Sequence, residues 1–235
     1  MGLLDRTRLT VTRLRVMTYN ILLGGRRGQP LHEVVRAVAP DVLLVNESPK
    51  RPLRWRRDCR HLADRWHLRY VAGGRPAGSN LLAVAPGVGV KAAGTEVLPQ
   101  PFGKPRRGVV WGQLHVRGRL VGVVSCHLSL DRDRRVGEVA RVLEVASGLR
   151  GPVVLAGDLN ETPDGPSWAA LLRAGFVDHG GSSWRTFPAD DPDRRIDALL
   201  VRGAAEVLHH GDPGVDPELL AAASDHRPVL AELEV

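Results

Sequence analysis

Residues 153–156, Val-Val-Leu-Ala, are apolar at every position within the segment PVVLAGDLN. Successive side chains of a strand point to opposite faces, so such a run must be covered on both sides of its sheet. Further strand-length Val/Leu/Ile runs recur at 13–19, 41–45, 79–85, 108–116, 119–126, 195–201, 204–209 and 228–233, with the first run extending over 152–156. Helical patterns are fewer: 31–39 ahead of Pro40, 54–66, 131–149 opened by Asp131, and 165–174 closed by Gly175. Two packed sheets flanked by helices is the economical way to bury all of these faces.

The chain has 235 residues, 43% hydrophobic and 25% charged, which excludes disorder and coiled coil. No apolar run approaches the ~18 residues of a membrane span. No repeat or low-complexity linker divides the sequence, so residues 1–12 are expected to be a lead-in and 13–235 a single domain. Lys and Arg exceed Asp and Glu by 33 to 26, a net +7, which points toward a polyanionic partner. That inference is discounted, because Lys50, Lys91 and Lys104 are the only lysines and the Arg/Ala/Gly/Val/Pro bias suits a GC-rich coding sequence equally well. Cys59 and Cys126 are too few for a disulfide framework. Charges interrupt every apolar stretch of MGLLDRTRLTVTRLRV, so no signal peptide is read there and a cytoplasmic location is expected.

The informative pattern is what ends these strands. LRVMTYN closes on Asn20, DVLLVNE on Glu47, VGVVSCH on His127, and PVVLAGDLN on Asp158 and Asn160. RRIDALLV carries Asp197 inside a strand, and SDHRPVLAEL sets Asp225 and His226 just before one. A single strand-end Asp is an ordinary turn residue. Asp197, between Ile196 and Ala198, is sharper, since a carboxylate in a core strand must be paired or hydrogen-bonded. If the strand ends converge, Glu47, Asp158, Asp197 and Asp225 crowd one cleft, and two like charges ~4 Å apart repel by about 4 kcal/mol at an effective dielectric of about 20. A cation is required. Oxygen donors without a Cys cluster favour Mg²⁺, with Mn²⁺ as the substitute, over Zn²⁺. Phosphoester hydrolysis is the natural chemistry of such a site.

The motifs MTYN, VNES, CHLSL, GDLNETP, RIDALLV and SDHRPV, in that order over residues 17–229, resemble the series of the endonuclease/exonuclease/phosphatase superfamily. Its members are metal-dependent phosphohydrolases, among them DNase I-like nucleases, sphingomyelinases and inositol polyphosphate phosphatases. The resemblance implies an α+β fold, a four-layer αββα sandwich with two mixed sheets and the site at the sheet edges. It implies Glu47 as principal metal ligand, with Asn20 and Asp225 in the same metal site. His127 would bind the scissile phosphate, Asp158 orient or deprotonate the attacking water, and Asn160 hold a phosphate oxygen. His226, oriented by Asp197, would stabilise the transition state or leaving group. Two departures stand out: Asn46 precedes Glu47 where Gln is more usual, and GSNLLAV places Asn80 at an expected substrate contact. Arg195 alternates onto the face of Asp197 and is read as a partner of that carboxylate or of substrate. The implied partner is a phosphoester, nucleic acid among the candidates, acted on by a monomer. The alternatives are a phosphomonoester, phospholipid or inositol-phosphate hydrolase, and a non-catalytic nucleic-acid-binding module.

Other chemistries fare worse. Cys126 and His127 are strand neighbours and point to opposite faces, which excludes a Cys/His pair. Ser125 shares a face with His127 and Ser224 adjoins Asp225, yet no G-x-S-x-G elbow exists. Cys59, His61 and His67 lack paired zinc spacing and read as surface residues of a helix. His209 and His210 are expected to face solvent beside Gly211, and Asp190, Asp191 and Asp193 to form a capped turn. The run RPLRWRRDCR at 51–60 reads as a phosphate-tracking patch or a solvated helix face.

Overall fold

The computed structural model describes residues 13–22, 28–181 and 183–235; the expected lead-in, 1–12, lies outside them. In chain order the elements are β1 (Arg13–Asn20), α1 (Gln29–Val38), β2 (Val42–Asn46), α2 (Trp55–Arg65), β3 (Arg69–Gly74), a 3₁₀ turn (Arg75–Ala77), β4 (Asn80–Val84), β5 (Gly89–Leu98), β6 (Arg107–Val116), β7 (Arg119–His127), α3 (Arg132–Ser147), β8 (Val153–Asp158), α4 (Pro166–Arg173), β9 (Asp197–Arg202), β10 (Glu206–Gly211), α5 (Pro217–Ala223) and β11 (Val229–Glu234). One sheet runs β10-β11-β1-β2-β4-β3 and the other β5-β6-β7-β8-β9. Both are mixed: β1 and β2 are parallel, as are β7 and β8, and their other neighbours are antiparallel. The fold is the expected α+β sandwich.

Strand periodicity divides the core into three apolar layers. Leu14, Val16, Val42, Leu44, Val154, Ala156, Leu199 and Val201 face the seam between the sheets. The alternate residues of the first sheet, Met17, Tyr19, Leu43 and Val45, face Leu31, Val34, Val35 and Val38 of α1 and Leu62 and Ala63 of α2. Those of the second sheet, Val153, Leu155, Ala198 and Leu200, face Val139, Val142 and Ala146 of α3 and Trp168 of α4. The run Val153–Ala156 is thus apolar throughout because odd residues meet helices and even residues meet the other sheet.

Local signals set the helix ends. Asp131 caps α3, its carboxylate accepting from the backbone N–H groups of Asp133 and Arg134. Asp216 caps α5 by accepting from Glu218 N–H, with Pro217 opening the helix. That helix, β3 and β5 are absent from the sequence reading. In RYVAGG and GVKAAGTEVL small and polar residues blur the alternation, and α5 has seven residues. Gly157 is indispensable where β8 meets β7: at φ +134°, a Cβ there would lie 2.0 Å from the Cys126 carbonyl oxygen.

Candidate functional site

The polar residues are continuations of the inner-seam positions. In β1 the seam residues 14 and 16 lead to Asn20, in β2 residues 42 and 44 lead to Asn46, and in β4 residues 82 and 84 lead back to Asn80. In the second sheet 121 and 123 lead to His127, 154 and 156 to Asp158, and 199 and 201 back to Asp197. Side chains two apart share a face, so all six point into the rim of the seam, where the apolar filling ends. Register aligns them further: His127 is paired with Asp158, and Asp158 with Asp197, across β7, β8 and β9. Asn20 is paired with Asn46 across β1 and β2.

Asp158 is the hub. Its Oδ1 accepts from Asn160 N–H at 2.9 Å and its Oδ2 from Asn20 Nδ2 at 3.0 Å. His127 Nε2 lies 3.2 Å and His226 Nε2 3.8 Å from the same Oδ2. The second imidazole nitrogen of His226, Nδ1, is 2.9 Å from Asp197 Oδ2, and the Phe187 ring packs against its face at 4.8 Å between centroids. Burial pushes the His226 imidazolium down, but Asp197 beside it, helped by Asp158 and Asp225, outweighs that and raises its pKa to about 9. For His127 burial prevails: despite Asp158, and with Arg107, His226 and Lys50 opposing a further positive charge, its pKa falls to about 3. The cleft therefore holds one imidazolium and one neutral imidazole.

Asn46, noted in the sequence as a departure from Gln, is the brace between the sheets. Its Oδ1 accepts from Asp158 N–H at 2.9 Å, and its Nδ2 donates to the Cys126 carbonyl at 3.0 Å and to Asn80 Oδ1 at 2.7 Å. Asn80 in turn donates to the Gly108 carbonyl at 2.6 Å and is fully buried. The expected substrate contact at Asn80 is therefore corrected: both ends of its amide are spent inside the protein, and it positions Asn46. Arg195 is also corrected as a partner of Asp197. It makes a two-pronged ion pair with Asp178, with Nη1 donating at 3.0 Å and Nη2 at 2.5 Å, and stacks over Trp168. Asn160, at φ +49°, spends Nδ2 on the Leu128 carbonyl, 2.8 Å away, and its backbone N–H on Asp158.

Glu47 and Asp225 are the half-exposed carboxylates of the rim. Glu47 follows Asn46 directly, at φ +58°, with Ser48 N–H bound to the Ser79 carbonyl. Asp225 is fixed through its carbonyl, which accepts from Ala189 N–H at 2.8 Å. The Arg107 guanidinium lies within the fields of both Asp158 and Glu47, and the Tyr19 hydroxyl, raised chiefly by burial, feels both Asp225 and Asp197. Arg107 and Lys50 are cations of this region that the sequence reading did not single out. The signal available for Arg107 was its place at the start of β6, opposite the end of β7.

Competing chemistries lose their groups. Ser224 Oγ donates to the Asn20 carbonyl at 2.7 Å, and Cys126 faces the α3 layer. Cys59, read as a surface residue, is fully buried on the inner face of α2, while His61 and His67 are exposed. His210, expected to face solvent, places Nε2 2.7 Å from the Leu199 carbonyl on the other sheet. Asp190, Asp191 and Asp193 are exposed.

The donor set fits a divalent cation. Ligand atoms of Asp158, Asp197 and His226 lie within 4.8 Å of one another. Among the described residues, Asp197 Oδ1 is buried with no hydrogen-bond partner, an anionic oxygen that a positive charge would satisfy. The donors are the carboxylate oxygens of Asp158 and Asp197, without thiolate, since His226 as an imidazolium has no lone pair to give.

No curated protein matches the sequence. Among solved structures, the fold is similar to an endonuclease/exonuclease/phosphatase family protein from Bacteroides thetaiotaomicron (TM-score 0.74, 18% identity, 95% of this chain and 98% of that one). It is also similar to a mannosyl-6-phosphatase of the same organism (TM-score 0.75, 19% identity, 94% and 99% covered). A third is ANGEL2, a 2′,3′-cyclic phosphatase solved with adenosine-2′,3′-vanadate (TM-score 0.69, 14% identity, 97% of each chain). At these identities the likeness is one of fold. The sequence itself matches the family model described as Endonuclease/Exonuclease/phosphatase family over residues 17–226, from the start of MTYN to His226. The chain belongs to that family of phosphoester-hydrolysing enzymes.

Proposed function

We propose that the protein is a Mg²⁺-dependent phosphodiesterase of nuclease type, working by in-line attack of water without a covalent intermediate. The observation that carries this reading is the geometry at Asp158: Asn160 N–H and Asn20 hold its two oxygens, with a neutral His127 on one side and His226 on the other. Glu47 and Asp225, with Asn20, would hold the cation on the open side of the rim, next to the buried Asp158–Asp197–His226 cluster. Bound there, it would neutralise the phosphoryl oxygens.

Asp158 takes the proton of the attacking water as its oxygen bonds to phosphorus. Asn20 keeps the receiving carboxylate oriented. His127, neutral, faces Asp158 Oδ2 through Nε2 and would turn that N–H to a phosphoryl oxygen once the carboxylate has taken the water's proton. His226, the imidazolium, gives its Nε2 proton to the departing oxygen as the ester bond breaks, while Asp197 on Nδ1 fixes the ring and its charge. The reading includes a single catalytic domain over 13–235 acting as a monomer. It also includes a cytoplasmic site of action, supported by two buried, unpaired cysteines. Among the described residues, no helix is long and apolar enough to cross a membrane.

Hydrolysis of bis-p-nitrophenyl phosphate tests it. Turnover should appear with Mg²⁺ or Mn²⁺, vanish in EDTA, and fall to background in Asp158→Ala and His226→Ala proteins that still melt cooperatively. Absence of metal-dependent turnover above the Asp158→Ala background would favour a binding module. p-Nitrophenyl phosphate, run alongside, separates diesterase from monoesterase.

A further inference from the structure

A basic pocket opens beside the rim. It has a volume of about 170 Å³, several times the ~30 Å³ share of one water, and its lining includes Gln100, Lys104, Arg107, Ser129, Asp131 and Arg134. Its walls are the loop between β5 and β6 and the loop between β7 and α3. Both flank the catalytic rim, because Gly108, next to Arg107, pairs with His127, and Ser129 is two residues beyond it.

Charge in the pocket is unbalanced toward positive. Its acid, Asp131, is committed to capping α3 and lies 3.4 Å from Arg134 Nε. The neighbouring Glu138 points inward, accepting from Ser129 N–H at 2.8 Å and from Gln100 Nε2 at 2.6 Å. Neither the Arg107 guanidinium nor the Lys104 ammonium hydrogen-bonds to a described residue. Arg107 is desolvated all the same, a cost that the fields of Asp158, Glu138 and Glu47 oppose.

The walls are also tied together by hydrogen bonds and an ion pair. Arg135 donates through Nη1 to the carbonyls of Ser129 and Leu130, at 3.0 and 2.9 Å, and its Nε and Nη2 bind Glu161 Oε1 at 3.1 and 3.0 Å. Glu161 belongs to the same GDLNETP segment as Asp158, so the pocket wall and the catalytic carboxylate are tied to one piece of backbone.

We infer that this pocket is a subsite for a second phosphate group of the substrate, held by Lys104, Arg107 and Arg134 while the scissile phosphate lies at Asp158. The inference rests on the phosphodiesterase reading and narrows it to substrates with at least two phosphates. A nucleic-acid strand and a bisphosphorylated polyol both meet that requirement.

The test is calorimetric binding with Mg²⁺ present, using ligands whose phosphates are all monoesters, which a phosphodiesterase does not turn over. Thymidine 3′,5′-bisphosphate is compared with thymidine 5′-monophosphate, and inositol 1,4-bisphosphate with inositol 1-phosphate. Wild-type protein should bind the bisphosphate of at least one pair about tenfold more tightly, the cost of a lost charged hydrogen bond, and that pair identifies the source. Lys104→Ala/Arg134→Ala, at an exposed and a partly buried position, should abolish the preference. A preference near one in both pairs, or one retained in the double variant, overturns the subsite. Bis-p-nitrophenyl phosphate has a single phosphorus, so its hydrolysis should be unchanged in the double variant. Loss of that activity in the wild type would sink the catalytic reading and leave the binding result to decide the subsite by itself.

Discussion

His226 Nδ1 sits 2.9 Å from Asp197 Oδ2, and the two side chains come from β9 and from the loop that leads into β11, strands of different sheets. The pair therefore joins the sheets at the point where the apolar seam ends, and it holds positive charge on an imidazole that burial would otherwise neutralise.

Asp197→Asn should uncouple charge from geometry. The amide can keep a hydrogen bond to the ring but not the attraction, so the metal-free pKa of His226 should drop from about 9 to below its ordinary 6.5. The kcat at pH 7.5 should fall by about 10²-fold, within the range of a general acid. NMR titration of the His226 ring in EDTA checks the first, and steady-state kinetics the second.

Metal-free protein should be most stable near pH 6.5. His226 binds its proton more tightly folded than unfolded, so its contribution is complete below pH 6.5 and is lost as pH rises toward about 9. His127, held neutral with a pKa of about 3, contributes fully above pH 6.5, and that stability is lost as pH falls. His32, lowered to about 4 by burial first and by Arg65 and Arg36, acts in the same direction. Urea melts in EDTA at pH 5, 6.5 and 8.5 should show the maximum at the middle value, and His127→Asn should flatten the acid side.

Asn46→Ala should cost about 1–3 kcal/mol, because it strands the Asp158 N–H and the Asn80 amide in a buried site. The kcat should fall with little change in KM, since what is lost is the placement of Asp158. Urea denaturation and kinetics on the same preparation measure both.

Glu161→Ala should destabilise by about 3–5 kcal/mol, the cost of leaving a buried guanidinium unpaired. Glu161→Gln, which can still accept from Arg135, should recover part of it. Denaturation midpoints of the two variants at pH 7 decide whether this motif residue has a structural role.

Much of the architecture was legible because strand burial leaves a direct trace. Val153–Ala156 demanded cover on two sides, and the alternating contacts of Val154 and Val153 with different layers supply it. β3 and β5 left no such trace, since small and polar residues interrupt their alternation. At the site, Asn20, His127, Asp158, Asp197 and His226 were identifiable as polar residues ending apolar strands, and they meet around one carboxylate. The partners of Asn80 and Arg195 were not. An amide at a strand end reads the same whether it faces substrate or a neighbouring Asn46, and an arginine's reach allows several carboxylates.

By itself the amino-acid order determined which side chains occupy inner positions of each strand, because alternation is a local property of the extended backbone. Only the tertiary structure decided what those positions would meet. The register of β7, β8 and β9 sets His127, Asp158 and Asp197 side by side, and the packing of one sheet on the other brings Asn20, Asn46 and His226 to them. Hydrogen-bond pairing between strands and side-chain packing between sheets connect residues as far as 206 positions apart, and no local pattern encodes such distances.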